Sequence, residues 1–97
     1  MSCTVLLEVT AQAGKGADLV GVFASILGDT RAFEGCNGVE VVVNEDDADN
    51  VVLIESWESR AHYEKYFAWR QERGDLDTLG SFLAAPPNLR YFSTADA

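Results

Sequence analysis

The chain has 97 residues, 47% hydrophobic and 24% charged, ordinary globular usage and a length for one domain, residues 1–97, with one modest core. Seven Lys and Arg against sixteen Asp and Glu give a formal charge of −9. A phosphate backbone or an anionic lipid surface repels such a chain, so neither nucleic acid nor membrane is an expected partner.

The opening MSCTVLLEVTAQ has no basic start, and Glu8 interrupts its apolar run, so it does not read as a signal peptide. Cys3 to Gln12 predicts a first strand, with Val5, Leu7, Val9 and Ala11 on one face and Thr4, Leu6, Glu8 and Thr10 on the other. Gly14 and Gly16 mark a turn. A helix is expected from Ala17 to Phe33, where Leu19, Val20, Phe23, Ile26, Leu27 and Thr30 fall at helical spacing. Gly21 and Gly28 weaken that helix, and close packing against a neighbour would explain them. Gly14-Lys15-Gly16 does not make a dinucleotide fingerprint, because its third glycine would fall on Leu19.

Gly35 and Gly38 bracket the next turn, and Val39 to Asn44 predicts a second strand. Glu45 to Asn50 reads as a polar hairpin loop and Val51 to Trp57 as a third strand. Asp47-Ala48-Asp49 resembles the start of a calcium loop, but valines stand at its later ligand and glycine places. Ser59 is set to cap a helix running to Arg73 and closed by Gly74. A short helix over Asp75 to Ala85, stopped by Pro86-Pro87, and a last strand from Asn88 to Ser93 complete the chain. No stretch approaches the roughly 18 apolar residues of a membrane span.

This order, β-α-β-β-α-(α)-β, predicts an α+β domain of the ferredoxin-like split β-α-β kind, with a four-stranded antiparallel sheet in the order 4-1-3-2. Helices cover only one face of such a sheet, yet VLL, VVV and VVLI are apolar on both. A second copy of the same sheet is the simplest cover, so a homodimer is expected. The strand of Cys3 does not neighbour the strand after Cys36, and two cysteines match no zinc spacing. The expectation is a cytoplasmic protein with two free thiols and no bound metal.

Four segments carry a resemblance to a known family. They are the first strand with Gly14-Lys15-Gly16, then Thr30-Arg31-Ala32-Phe33-Glu34-Gly35-Cys36, then Glu55-Ser56-Trp57-Glu58-Ser59, and the aromatic helix that follows. In order and spacing they resemble the antibiotic biosynthesis monooxygenase family, small dimeric α+β barrels, over residues 4 to 93. The chain departs from the family at two places. The His commonly found nine residues after the tryptophan is replaced by Tyr66, and the Asn some members use near the end of strand one is absent, with Gln12 as the nearest amide. The haem-degrading branch is therefore the least similar.

The segment His62 to Arg70 concentrates the chemistry. Helical spacing groups His62, Tyr66, Trp69 and Arg70, with Tyr63 and Phe67 flanking. Such rings suit either a pocket for an aromatic ligand or a core and dimer seam. His62, the only histidine, is the candidate base for a phenol proton. Tyr66 and Arg70 are candidate partners of the resulting anion, although Arg70 equally suits an ion pair with Glu55 or Glu58. Trp57, at the end of strand three, is either core or an aromatic wall with a free N–H, and Tyr63, Phe67 and Trp69 extend that wall. The resemblance implies a cofactor-independent monooxygenase that oxidises a small phenolic or quinol-like aromatic with O2. The alternative is a non-catalytic dimeric module that binds such a molecule.

Overall fold

The computed structural model describes residues 2–97. Strand β1 (Cys3–Thr10) leads to helix α1 (Gly16–Ala32), strands β2 (Cys36–Asn44) and β3 (Asp47–Trp57), helices α2 (Arg60–Arg73) and α3 (Asp75–Gly80), and strand β4 (Asn88–Phe92). Every pairing is antiparallel and the order across the sheet is β2-β3-β1-β4. This is the expected ferredoxin-like α+β arrangement, read from the other edge.

The hairpin between β2 and β3 is much tighter than a six-residue loop. Strand β3 begins at Asp47, leaving Glu45 and Asp46 as the turn. Polar side chains permit this by bonding to nearby backbone: Asn44 accepts from the Asp46 N–H at 2.9 Å, and Asp47 from the Asp49 N–H at 3.1 Å. The Asp49 carboxylate accepts the N–H groups of Gly14 and Gly16 at 3.1 and 2.9 Å. It thus serves the start of α1, whose own preceding residue supplies no side-chain cap. Strand β2 starts three residues earlier than expected, absorbing Gly38 through a register slip against β3.

Helix α1 buries Leu19, Phe23, Leu27 and Thr30 along one stripe. Gly21 and Gly28 do not serve close packing: both are exposed, and a Cβ at either would meet nothing within 4 Å. Gly21→Ala and Gly28→Ala should each raise stability by about 0.5–1 kcal/mol, read as a higher urea midpoint. Helix α2 is capped by Ser59, whose Oγ accepts the His62 N–H, and ends at Gly74 in the left-handed conformation, φ +79°. Helix α3 stops at Gly80, short of the expected Ala85. The chain there returns to the end of β1, with Gln12 donating to the Phe82 carbonyl and Ala84 to the Thr10 carbonyl.

All three helices lie on the face carrying Val5, Val9, Val51, Leu53 and Trp57. The opposite face carries Leu6, Val52 and Phe92 with exposed Val42 and Ile54, set among Thr4, Glu8, Glu40 and Arg90. Cys3 and Cys36 are both free. Each stands opposite Trp57 in register, one on either side of β3, so a whole strand separates them. No helix of the described residues is long and apolar enough to cross a membrane.

Candidate active site

Strand alternation puts Val51, Leu53, Glu55 and Trp57 of β3 on the helix-covered face, and one of the four is an acid. Glu55 is 3% exposed, and its Oε1 accepts the Trp57 indole N–H at 3.1 Å. Burial raises its pKa from 4.5 to about 7, the Trp57 hydrogen bond offsetting part of the effect. The expected free indole N–H is therefore committed. By sequence Glu55 opens the Glu55-to-Ser59 segment and is a candidate ion-pair partner for Arg70, with no chemical role of its own. Its signal was the strand period, which forces it inward between Leu53 and Trp57.

Helix α2 offers Tyr63, Tyr66, Phe67 and Arg70, at i, i+3, i+4 and i+7, to the same space. The Tyr66 hydroxyl lies 2.7 Å from Thr30 Oγ1 and accepts from Arg70 Nε at 3.0 Å. Burial raises the Tyr66 pKa, against the lowering effect of its bonds to Thr30 and Arg70. Arg70 is almost wholly buried and also donates to Asp75, the Ile26 carbonyl and Thr30 Oγ1 at 2.8 to 2.9 Å. Its ion pair is thus with Asp75, and neither Glu55 nor Glu58 is its partner. Burial alone would lower the Arg70 pKa, but the bonds to Asp75 and Tyr66 more than reverse this.

These side chains border a cavity also lined by Leu7, Phe23 and Leu53, with about 40 Å³ open to the centres of water molecules. No fully enclosed side-chain nitrogen or oxygen among the described residues lacks a partner. The second Glu55 oxygen and the Tyr63 hydroxyl make no hydrogen bond within the chain, and both residues line this cavity; Glu55 also borders a shallow groove with Gly38, Val39 and Ile54. It is a largely apolar chamber whose polar lining is the raised Glu55 carboxyl, the Tyr63 and Tyr66 phenols and the Arg70–Asp75 ion pair. A carboxylate held in this way can accept a proton from a weak acid bound beside it.

Of the sequence candidates, Tyr63, Tyr66, Phe67 and Arg70 come together here. Trp57, fully buried, stands behind them, its ring 5.0 Å from Tyr66 and 5.5 Å from Tyr63 between centroids. Trp69 packs on Phe33 at 5.3 Å, with the Arg70 and Arg73 guanidinium groups over its ring, and does not line the cavity. His62 also lies outside it. Its Nδ1 is 2.6 Å from Ser59 Oγ, its ring occupies the space beside Gly35, and its shallow surroundings are Glu34, Ala61 and Lys65. Gly35, at φ +92°, could carry no side chain there without striking that ring. Among the described residues no three His, Cys, Asp or Glu side chains gather as a metal-ligand set.

The raised carboxyl has a consequence for stability. Below pH 4.5 Glu55 is protonated in both folded and unfolded chains. From pH 4.5 to about 7 only the folded chain keeps the proton, so the stability that protonation lends is lost as pH rises through this window. Glu55→Gln mimics the neutral acid throughout. Its stability relative to wild type should therefore climb by up to about 3 kcal/mol between pH 4.5 and pH 8, at 1.36 kcal/mol per unit. Urea unfolding of both proteins across that range measures it.

A family model described as antibiotic biosynthesis monooxygenase matches residues 2–72. Similar solved structures include Rv0793 of Mycobacterium tuberculosis, 18% identical with a TM-score of 0.86, over 100% of this chain and 98% of that one. A conserved protein of Methanosarcina mazei is 13% identical with a TM-score of 0.87, over 98% and 94% of the two chains. SnoaB of Streptomyces nogalater, described as a cofactor-independent oxygenase, is 16% identical with a TM-score of 0.84, over 99% and 95%. At these identities the likeness is one of fold. A search of the curated proteins found no match.

Proposed function

The chain belongs to the antibiotic biosynthesis monooxygenase family, and from that premise we propose that it oxidises a small phenolic or quinol-like aromatic with O2, using Glu55 as the proton acceptor. The observation that carries the reading is the buried Glu55 carboxyl, one oxygen held by Trp57 and the other without a partner in the chain, on a residue that lines an apolar cavity with Tyr63 and Arg70. A phenol bound there gives its proton to Glu55. An ordinary carboxylate is a poor acceptor for a phenol, and raising its pKa to about 7 narrows the mismatch. The proton also neutralises the acid, so the new phenolate does not face an ionised Glu55.

The electron-rich anion then passes one electron to O2. Phenoxyl and superoxide radicals combine at a free ring carbon, and the peroxide O–O bond breaks. One oxygen atom stays on the ring as a quinone carbonyl and the other leaves as water, the substrate having supplied all four electrons. The protein contributes deprotonation, a cationic wall at Arg70 and exclusion of bulk water. His62 has no role in this scheme, because its ring is spent on Ser59 at the surface. Oxygen uptake with a panel of hydroquinones and naphthols, without added flavin or metal, tests the reading. One O2 consumed per naphthol is expected. Tight binding with no uptake would select the non-catalytic module instead.

The assembly proposed for this unit is a homodimer through the outer sheet face, where Leu6, Val42, Val52, Ile54 and Phe92 cluster. Light scattering at micromolar concentration should return twice the chain mass, and Ile54→Lys should shift it toward the monomer. A wild-type monomer would contradict the proposal.

A further inference from the structure

A second chamber adjoins the Glu55 cavity. The two share Leu7, Phe67, Leu76 and Leu79. Beyond these four, the second is bounded by Val9, Gly80, Leu83 and Pro87, and no titratable side chain lines it. It has about 120 Å³ open to water centres, three times the room of the first. Its far wall exists because the chain after α3 turns back onto β1, with Leu83 bridging to Ala11. The polar side chains, Glu55, Tyr63, Tyr66 and the Arg70–Asp75 pair, all line the first chamber, and the side chains of the second are hydrocarbon.

We propose that the second chamber seats an apolar substituent of the same ligand whose phenolic end lies against Glu55. The inference rests on reading the Glu55 cavity as the substrate site. It narrows the substrate class from any small phenol to one carrying an alkyl chain, directed away from the hydroxyl toward Leu83 and Pro87. The smaller chamber holds the reacting end and little more, and the shared residues Phe67 and Leu76 stand where the two parts of the ligand join. Burial of hydrocarbon in the second chamber would supply the binding energy, and the first would supply the chemistry.

Calorimetric titration of the full chain with phenol, 4-ethylphenol, 4-butylphenol and 4-hexylphenol under anaerobic conditions tests this. Affinity should rise roughly threefold to fourfold per methylene until the chamber is full. Leu83→Trp, which fills the chamber, should abolish the gain while leaving the affinity for phenol within about twofold. Gly80→Leu, at a helix end where an added Cβ meets nothing within 4 Å, should reduce the gain without endangering the fold. A flat wild-type series overturns the inference, as does an equal loss for phenol and 4-hexylphenol in both variants. A change of oligomeric state in Leu83→Trp would give the chamber to a second copy and would also overturn it. The parent reading fails separately: a chain-length gain that Leu83→Trp removes, with no oxygen uptake by the wild type, supports the two-chamber site and rejects the oxygenase.

Discussion

Glu55→Gln is expected to lower kcat/KM for a naphthol by roughly 10² to 10⁴, the usual worth of a positioned proton acceptor. The substitution keeps the size of the side chain and an oxygen that can accept from Trp57. What it removes is the ability to take a proton. Wild-type kcat/KM should rise with pH through about 7, as Glu55 ionises, and then level. The variant should lack that limb, and its deficit should shrink at high pH, where the phenol ionises without help. His62→Ala should leave the profile unchanged, since its ring does not reach the cavity. An unchanged Glu55→Gln profile would return the base to Tyr66 or to self-ionisation of the substrate.

The largest structural loss is expected from Arg70→Leu. Its guanidinium ties three elements together, through Ile26 and Thr30 of α1, Tyr66 of its own helix and Asp75 at the start of α3. Asp75 keeps Arg73 at 3.1 Å, and the Tyr66 and Thr30 hydroxyls keep each other at 2.7 Å, so no charge is left unpaired and the loss is that of charge-assisted hydrogen bonds, about 1.5–3 kcal/mol. For a domain of this size that is at least about a 6 °C fall in Tm. Lysine cannot restore the fork of donors, so Arg70→Lys should recover only part of the loss. The exposed pair of Lys15 and Asp18, at 3.9 Å, gives the contrast: Lys15→Ala should change stability by no more than about 0.5 kcal/mol. Differential scanning calorimetry distinguishes the three.

The elements were legible because their patterns are local. Alternation in VLLEVT and VVLIESW, the Ser59 cap and the Gly74 stop each rest on a few neighbouring residues, and the strand order is the usual one of the split β-α-β fold that the succession of elements fits. The turn at Glu45 and Asp46 was hidden because its acidic neighbours, which read as loop, are satisfied by side-chain bonds to backbone while staying in the ladder.

The site was half legible for a similar reason. Helical spacing groups Tyr66 and Arg70 with His62 and Trp69 and leaves Tyr63 and Phe67 at the flanks, whereas the face that lines the cavity is Tyr63, Tyr66, Phe67 and Arg70. His62 is also close to that face by spacing, but it occupies the third position after the cap. There its backbone N–H bonds Ser59 Oγ and its ring turns back to the same atom, away from the sheet. Glu55 was obscured by expectation: an acid in a strand is first read as solvent-facing, and only the period of β3 shows that it must point inward. Contacts such as Arg70 with Thr30 and Ile26 join residues 40 and more positions apart and leave no trace in spacing.

The central claim is that Glu55 holds a proton-accepting carboxyl poised near neutrality inside the cavity, and its titration tests this most directly. Carboxyl carbon NMR of the folded protein labelled at glutamate, compared with Glu55→Gln, assigns the Glu55 signal by its disappearance in the variant. The account predicts a midpoint at about 7, moved when a naphthol is added under anaerobic conditions. A midpoint near the ordinary 4.5, indifferent to the naphthol, would contradict it.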